Sequence, residues 1–114
     1  MGAFDSLEVD VRLSIKRPGS ESNSVFGPGI ARLCAGVRDN GSLYAAARSM
    51  GMAYSKAWRI MKDTEAALGF QLLDRDGAHG SSLTEDGKAL LEAYLSMESE
   101  LSDDAKRLFA DKRP

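Results

Sequence analysis

Residues 41–58 read GSLYAAARSMGMAYSKAW, and this stretch decides the fold. Ser42 can accept a hydrogen bond from a free backbone N–H at a helix start, and the alanine-rich run that follows favours helix. Gly51 comes next, and glycine tolerates the positive φ that a tight turn between helices requires. Ala46 and Ala47 are small enough for helix backbones to approach closely. The stretch therefore predicts a helix-turn-helix.

The flanking sequence predicts the other elements of a winged helix-turn-helix. Apolar and polar residues alternate strictly near the start of the chain, which indicates a half-buried strand, and a Gly, Pro and Ser cluster then indicates a loop. Thr84 can cap the last helix. The fold class is therefore mainly α with a small β-sheet, in a single domain over residues 1–114. The predicted elements are a strand over 7–16, three helices within 29–69, a wing hairpin over 70–84 and a long helix over 84–110.

Cationic and hydrogen-bonding side chains gather on one side of the helix that begins near Tyr54. In the major groove of DNA, arginine and lysine can donate to guanine, while tyrosine and serine can donate to phosphate. Because most solvated helix faces also carry lysine and arginine, the face alone leaves both interpretations open. The candidate DNA-contacting residues are Ser42, Tyr54, Ser55, Lys56, Arg59 and Lys62 on the helix-turn-helix, with Arg75 and His79 on the wing.

Apolar residues recur along the last helix at spacings of three and four, close to the seam of a coiled coil. Such a seam can pair two copies of the chain in a homodimer, and it can equally bind a different protein. The second possibility leaves open a protein-interaction module that keeps the scaffold without binding DNA. The candidate dimerisation residues are Leu90, Tyr94, Met97, Leu101 and Leu108.

Composition places the chain among ordinary globular proteins. Of its 114 residues, 43% are hydrophobic and 28% are charged, and the formal net charge is −2. The charge is uneven, since residues 28–83 carry seven basic and five acidic side chains whereas residues 84–114 carry five and eight. A negative total argues only weakly against DNA, because the field on one face decides binding. No apolar run is long enough for a membrane span and no leader is evident, so we expect a cytoplasmic protein.

Catalytic and metal chemistry find no support in the sequence. Cys34 and His79 are the only cysteine and histidine, so a Cys/His zinc cluster is excluded. Cys34 lies at helical spacing from the residues of an apolar helix face, which predicts a buried, inert thiol. No candidate nucleophile has a base partner, so we expect no enzymatic activity. Trp58, at the border of the buried face, is expected mainly to pack against the core.

Two segments resemble the DNA-binding domain of ModE-type molybdenum-responsive regulators. Residues 41–47 with 51–58, including Tyr54 and the Ala57-Trp58 pair, are similar to its helix-turn-helix, and residues 83–94 resemble the junction between wing and dimer helix. LysR-type regulators share a looser version of both. The resemblance implies a dimeric transcription regulator that binds double-stranded DNA. The molybdate-sensing domain of ModE-type proteins has no counterpart here, so no cofactor is expected.

Overall fold

The computed structural model of the chain describes residues 2–20, 23–75 and 81–114. Over these residues it is mostly helical with a two-stranded antiparallel sheet, which confirms the predicted fold class. Within the same residues, no helix has the length and apolar character needed to cross a membrane. The elements are a 3-10 turn at Ala3–Ser6, α1 at Pro28–Asn40, α2 at Leu43–Ser49, α3 at Tyr54–Leu68, β1 at Leu73–Arg75, β2 at Ser81–Leu83 and α4 at Glu85–Asp111.

The helix-turn-helix forms where the sequence predicts it. The Ser42 hydroxyl accepts a hydrogen bond of 3.0 Å from the backbone N–H of Ala45 and so caps α2. Gly51 has a φ of +65° in the turn, and the backbone N–H of the next residue, Met52, donates to the carbonyl oxygen of Ala47. Helices α1 and α2 approach each other closely, since a Cβ added to Gly36 would lie 2.7 Å from the Cβ of Ala46. The small residue at position 46 is therefore required by the contact between α1 and α2.

The core lies between α1, the inner faces of α2 and α3, the root of the wing and the first half of α4. Helical spacing places one apolar stripe of each helix toward this common interior. The side chains that are almost fully removed from solvent include Phe26, Leu33, Cys34, Val37, Leu43, Met61, Leu72, Leu73, Leu91 and Tyr94.

The wing begins as a short antiparallel ladder in which Leu73 pairs with Leu83 and Arg75 pairs with Ser81. Its predicted tip, residues 76–80, lies outside the described residues. The Thr84 hydroxyl donates to the carbonyl oxygen of Gln71 at 2.7 Å and accepts from the N–H of Gly87 at 2.9 Å. Thr84 therefore caps α4, as predicted, and also ties the start of α4 to the wing.

The predicted strand over residues 7–16 is wrong as a hydrogen-bonded element. Only Ile15 pairs, through two hydrogen bonds of 2.9 Å with Phe26. The predicted alternation does appear in the burial, because Val9, Val11 and Leu13 are partly buried while the residues between them are exposed. A ladder needs a neighbouring strand with unpaired backbone groups, and the neighbour of this segment is a helix, which uses its own.

That neighbour is α4, and we name residues 3–15 the N-terminal arm. The rings of Phe4 and Phe109 stack with centroids 5.6 Å apart. The Tyr94 hydroxyl donates to the carbonyl oxygen of Leu13 at 3.0 Å. Because early arm residues meet the end of α4 and late arm residues meet its first half, the arm runs antiparallel to the helix.

Candidate nucleic-acid interface

Helix α3 is divided into a buried side and a solvent-facing side, as the sequence predicts. Ala57 and Met61 are fully buried. At about 100° per residue, Ser55, Arg59 and Lys62 lie within an arc of about 60° on the opposite side. Every predicted contact residue on this helix is exposed, namely Tyr54, Ser55, Lys56, Arg59 and Lys62.

The cations of this outer side are not neutralised by the acidic residues of α4. Among the described residues, ion pairs join Arg38 with Asp39, Lys88 with Glu85, Arg107 with Asp104, and Arg113 with Asp5. None of them includes a basic side chain of α3. The acidic excess near the end of the chain is therefore partly paired locally, and the positive field of α3 is left for a ligand.

Aromatic side chains border this outer side. The indole N–H of Trp58 donates to the hydroxyl oxygen of Tyr54 at 2.7 Å. The ring of Tyr44, on α2, meets the ring of Tyr54 edge to face at 5.8 Å. The ammonium of Lys62 lies 5.7 Å from the centre of the Trp58 ring, within cation–π range. Trp58 is half-buried and packs against the core, which confirms the predicted packing role.

The predicted contact residues outside α3 are not shown to face a ligand. Ser42 is half-buried and its hydroxyl oxygen is used as the cap of α2, so its contact with DNA stays a prediction. Arg75 is placed in β1 by its backbone, and its side chain is not described. His79 lies outside the described residues.

Glu65 is the residue that the sequence analysis missed. It is buried, and its Oε2 accepts hydrogen bonds from the backbone N–H groups of Leu72 at 2.7 Å and Leu73 at 3.1 Å. A glutamate four residues after Met61 falls on the buried side of α3. This spacing could have predicted that Glu65 is buried. Its partners were not predictable, because they lie seven and eight residues along the chain beyond a turn.

The buried thiol of Cys34 agrees with its predicted inert role. Burial raises the pKa of Cys34 to about 12, and the negative charge of Glu65 adds to the shift. Since the thiolate is the reactive form, this thiol is unreactive at neutral pH.

The predicted dimerisation residues of α4 separate into two groups. Met97, Leu101 and Leu108 are exposed. Leu90 is partly buried and packs against the core. For Tyr94 the prediction is wrong, because this side chain is only 1% exposed and its ring packs edge to face on Phe26. Burial, with the charge of nearby Glu98, also raises the pKa of the Tyr94 hydroxyl.

Comparisons with known proteins agree with this architecture. The family described as "Bacterial regulatory helix-turn-helix protein, lysR family" matches residues 31–88. A crystal structure of the CbnR DNA-binding domain in complex with DNA is similar, with a TM-score of 0.61 and 29% sequence identity, over 73% of this chain and 94% of that chain. A search of curated proteins finds no significant match. Neither match supports the resemblance to ModE-type regulators. The match to residues 31–88, half of the sequence, shows that the chain belongs to the lysR family of bacterial regulatory helix-turn-helix proteins.

Proposed function

We propose that the chain binds double-stranded DNA in a sequence-dependent manner, as the DNA-reading part of a transcription regulator. The observation that carries this proposal is the outer side of α3, where Lys56, Arg59 and Lys62 are exposed and none forms an ion pair within the described residues. The similar CbnR domain was crystallised with DNA, which supports the proposal. A helix of this width fits the major groove of B-form DNA.

The side chains of α3 are assigned two kinds of contact. Arg59 lies in the middle of the outer side, where its guanidinium can donate two hydrogen bonds to the edge of a guanine. Lys62 is a point charge nearer the border with Trp58, and we assign it to a phosphate. A base contact changes the preferred sequence, whereas a phosphate contact strengthens binding to every duplex.

We further propose that two chains bind as a homodimer through the second half of α4. Met97, Leu101 and Leu108 leave an exposed apolar stripe there, beside the stripe that the N-terminal arm covers. A two-fold axis through this stripe would present two copies of α3 to one side of the DNA. Half-sites would then lie about 34 Å apart or a multiple of it.

Selection of bound sequences from a random duplex pool, followed by mobility shifts at low and high salt, tests DNA binding. We expect an enriched motif and binding that weakens steeply with salt, because bound cations displace the counterions of the phosphates. An interaction module without DNA binding would enrich no motif and would give no shift at low salt.

The two assignments on α3 can be separated with single substitutions. Arg59→Ala should cost about 1–3 kcal/mol on the selected sequence and relax the preference at one base pair. Lys62→Ala should weaken all duplexes alike and reduce the salt dependence by about one phosphate. Lys106→Ala on α4 removes the same charge away from α3 and is the matched control. An equal loss on every sequence for both variants would refute base reading by Arg59.

The homodimer is tested by placing a charge in the stripe. Leu101→Asp should convert dimers to monomers in sedimentation experiments, because a carboxylate would be buried without a partner. Ser99→Asp adds the same charge about 160° away around the helix and should leave the association unchanged. An unaltered profile for Leu101→Asp would reject dimerisation through this stripe.

The proposed role needs neither a cofactor nor enzymatic chemistry, and it belongs in the cytoplasm, where bacterial DNA is accessible. A closer kinship to ModE-type regulators stays a prediction from residues 41–58 and 83–94. The second half of α4 also keeps the alternative function open, since an exposed apolar stripe fits a different protein as well as a second copy. The mobility shifts decide between these functions.

A further inference from the structure

Tyr54 and Trp58 form a hydrogen-bonded pair at the border between the buried and outer sides of α3. They are four residues apart, so their side chains stand one above the other on the same side of the helix. The Trp58 N–H donates to the Tyr54 oxygen at 2.7 Å, and the two rings meet at 68° with centroids 6.3 Å apart. Trp58 is held by the core, whereas Tyr54 is 43% exposed. The anchored member of the pair therefore fixes the orientation of the exposed one.

We propose that Trp58 is a positioning residue that directs the Tyr54 hydroxyl toward a phosphate of the DNA backbone. This inference rests on the proposed function and adds a role that packing alone does not give to Trp58. Tyr54 makes the contact, and Trp58 acts through it.

The direction of the hydrogen bond selects the partner. An indole N–H can only donate, so the Tyr54 oxygen must be the acceptor, and the O–H of the phenol is left to donate to another group. Accepting a hydrogen bond polarises the phenol and strengthens its O–H as a donor. Phosphate oxygens are acceptors only, whereas the edges of bases present both donors and acceptors. The pair therefore matches phosphate.

The position and charge of the pair point to the same partner. At about 100° per residue, Tyr54 lies about 140° around α3 from Arg59, at the edge that faces α2. When α3 lies in the groove, an edge position meets the wall of the groove, which is the sugar-phosphate backbone. The ammonium of Lys62, 5.7 Å from the centre of the Trp58 ring, adds positive charge beside the pair. The pair and Lys62 together form a border strip that offers a phenol O–H and an ammonium as hydrogen-bond donors.

A double-mutant cycle on the selected duplex tests the inference. Tyr54→Phe removes the hydroxyl, and Trp58→Phe keeps an aromatic ring but removes the N–H. Each should weaken binding by about threefold to tenfold, which is the range for one lost hydrogen bond. The double variant should bind as weakly as Tyr54→Phe alone, because Trp58 acts through Tyr54. Thermal unfolding midpoints close to the wild type show that the fold is kept.

Two further measurements identify the contact. Replacing single phosphates with neutral methylphosphonates should reveal one position that weakens the wild type but has no effect on Tyr54→Phe. Trp58 is the only tryptophan, so fluorescence excited selectively at tryptophan reports on the surroundings of Trp58. Tyr54→Phe should shift the Trp58 emission in the protein without DNA, because the indole loses its acceptor.

The outcomes separate the inference from the function on which it depends. Wild-type binding together with unchanged affinity for Trp58→Phe would overturn the inference and leave the proposed function standing. Additive losses in the cycle, or a phosphate position that weakens wild type and Tyr54→Phe equally, would also overturn it. A wild-type chain that binds no duplex would overturn both.

Discussion

The two halves of α4 have the same apolar spacing, but one half is packed against the rest of the chain and the other is exposed to solvent. In the first half, Leu91 is fully buried against the rest of the chain. In the second half, Leu101 is 40% exposed, although it lies on the same seam as Tyr94, which is only 1% exposed. The difference teaches that helical periodicity identifies an apolar side of a helix but does not tell what covers it. In the first half the cover is the chain's own core, and in the second half we propose that it is another copy.

Truncation of Leu91 and of Leu101 to alanine tests most directly whether the two halves of α4 differ. Leu91→Ala should lower the free energy of unfolding by about 2–5 kcal/mol, because it leaves a cavity in a closed core. Leu101→Ala should lower it by about 0.5 kcal/mol, as expected of an exposed side chain. Urea unfolding should be measured at concentrations where sedimentation shows monomers, since association would add its own stabilisation.

Alkylation of Cys34 provides a control for the same pair of variants. The thiol lies in the same core as Leu91, and it is protected from alkylation while that core is packed. Its modification should therefore accelerate in Leu91→Ala and stay at the wild-type rate in Leu101→Ala. Equal acceleration in both variants would mean that the two halves of α4 are not energetically distinct.

Tyr94 stands at the boundary between the two halves and tests how the N-terminal arm is held. Tyr94→Phe keeps the ring on Phe26 but removes the hydrogen bond to Leu13, so it should cost about 1 kcal/mol. Limited proteolysis should then cut residues 7–12 faster than in the wild type. An unchanged cleavage rate would show that the apolar contacts of the arm suffice to hold it.

The smallest effect is expected at the far end of the arm. Arg113→Gln removes the exposed ion pair with Asp5, in which the two charged groups lie 3.4 Å apart. The free energy of unfolding should fall by at most about 0.5 kcal/mol, and less at high salt, because solvent screens the pair. A loss comparable to that of Tyr94→Phe would contradict the expectation that this exposed pair contributes little to holding the arm.

The sequence was informative where a local rule decides the structure. The cap at Ser42, the turn at Gly51 and the outer side of α3 depend on neighbours within a few residues, and the structure agrees with each prediction. Tertiary contacts decided what remained unpredictable. The N-terminal arm has the alternating apolar and polar residues of a strand but packs along a helix. Tyr94 belongs to the apolar seam of α4 but is buried in the core.

The buried carboxylate of Glu65 has a mechanical consequence for DNA reading. Because its Oε2 accepts hydrogen bonds from two successive amides at the root of the wing, Glu65 fastens the start of the wing to α3. In the proposed complex, a tilt of α3 would carry the paired strands at the root of the wing with it along the duplex. If α3 enters the groove as we propose, the distance from its bases to the duplex beside the root of the wing is set by the protein, and a flexible duplex must conform to it.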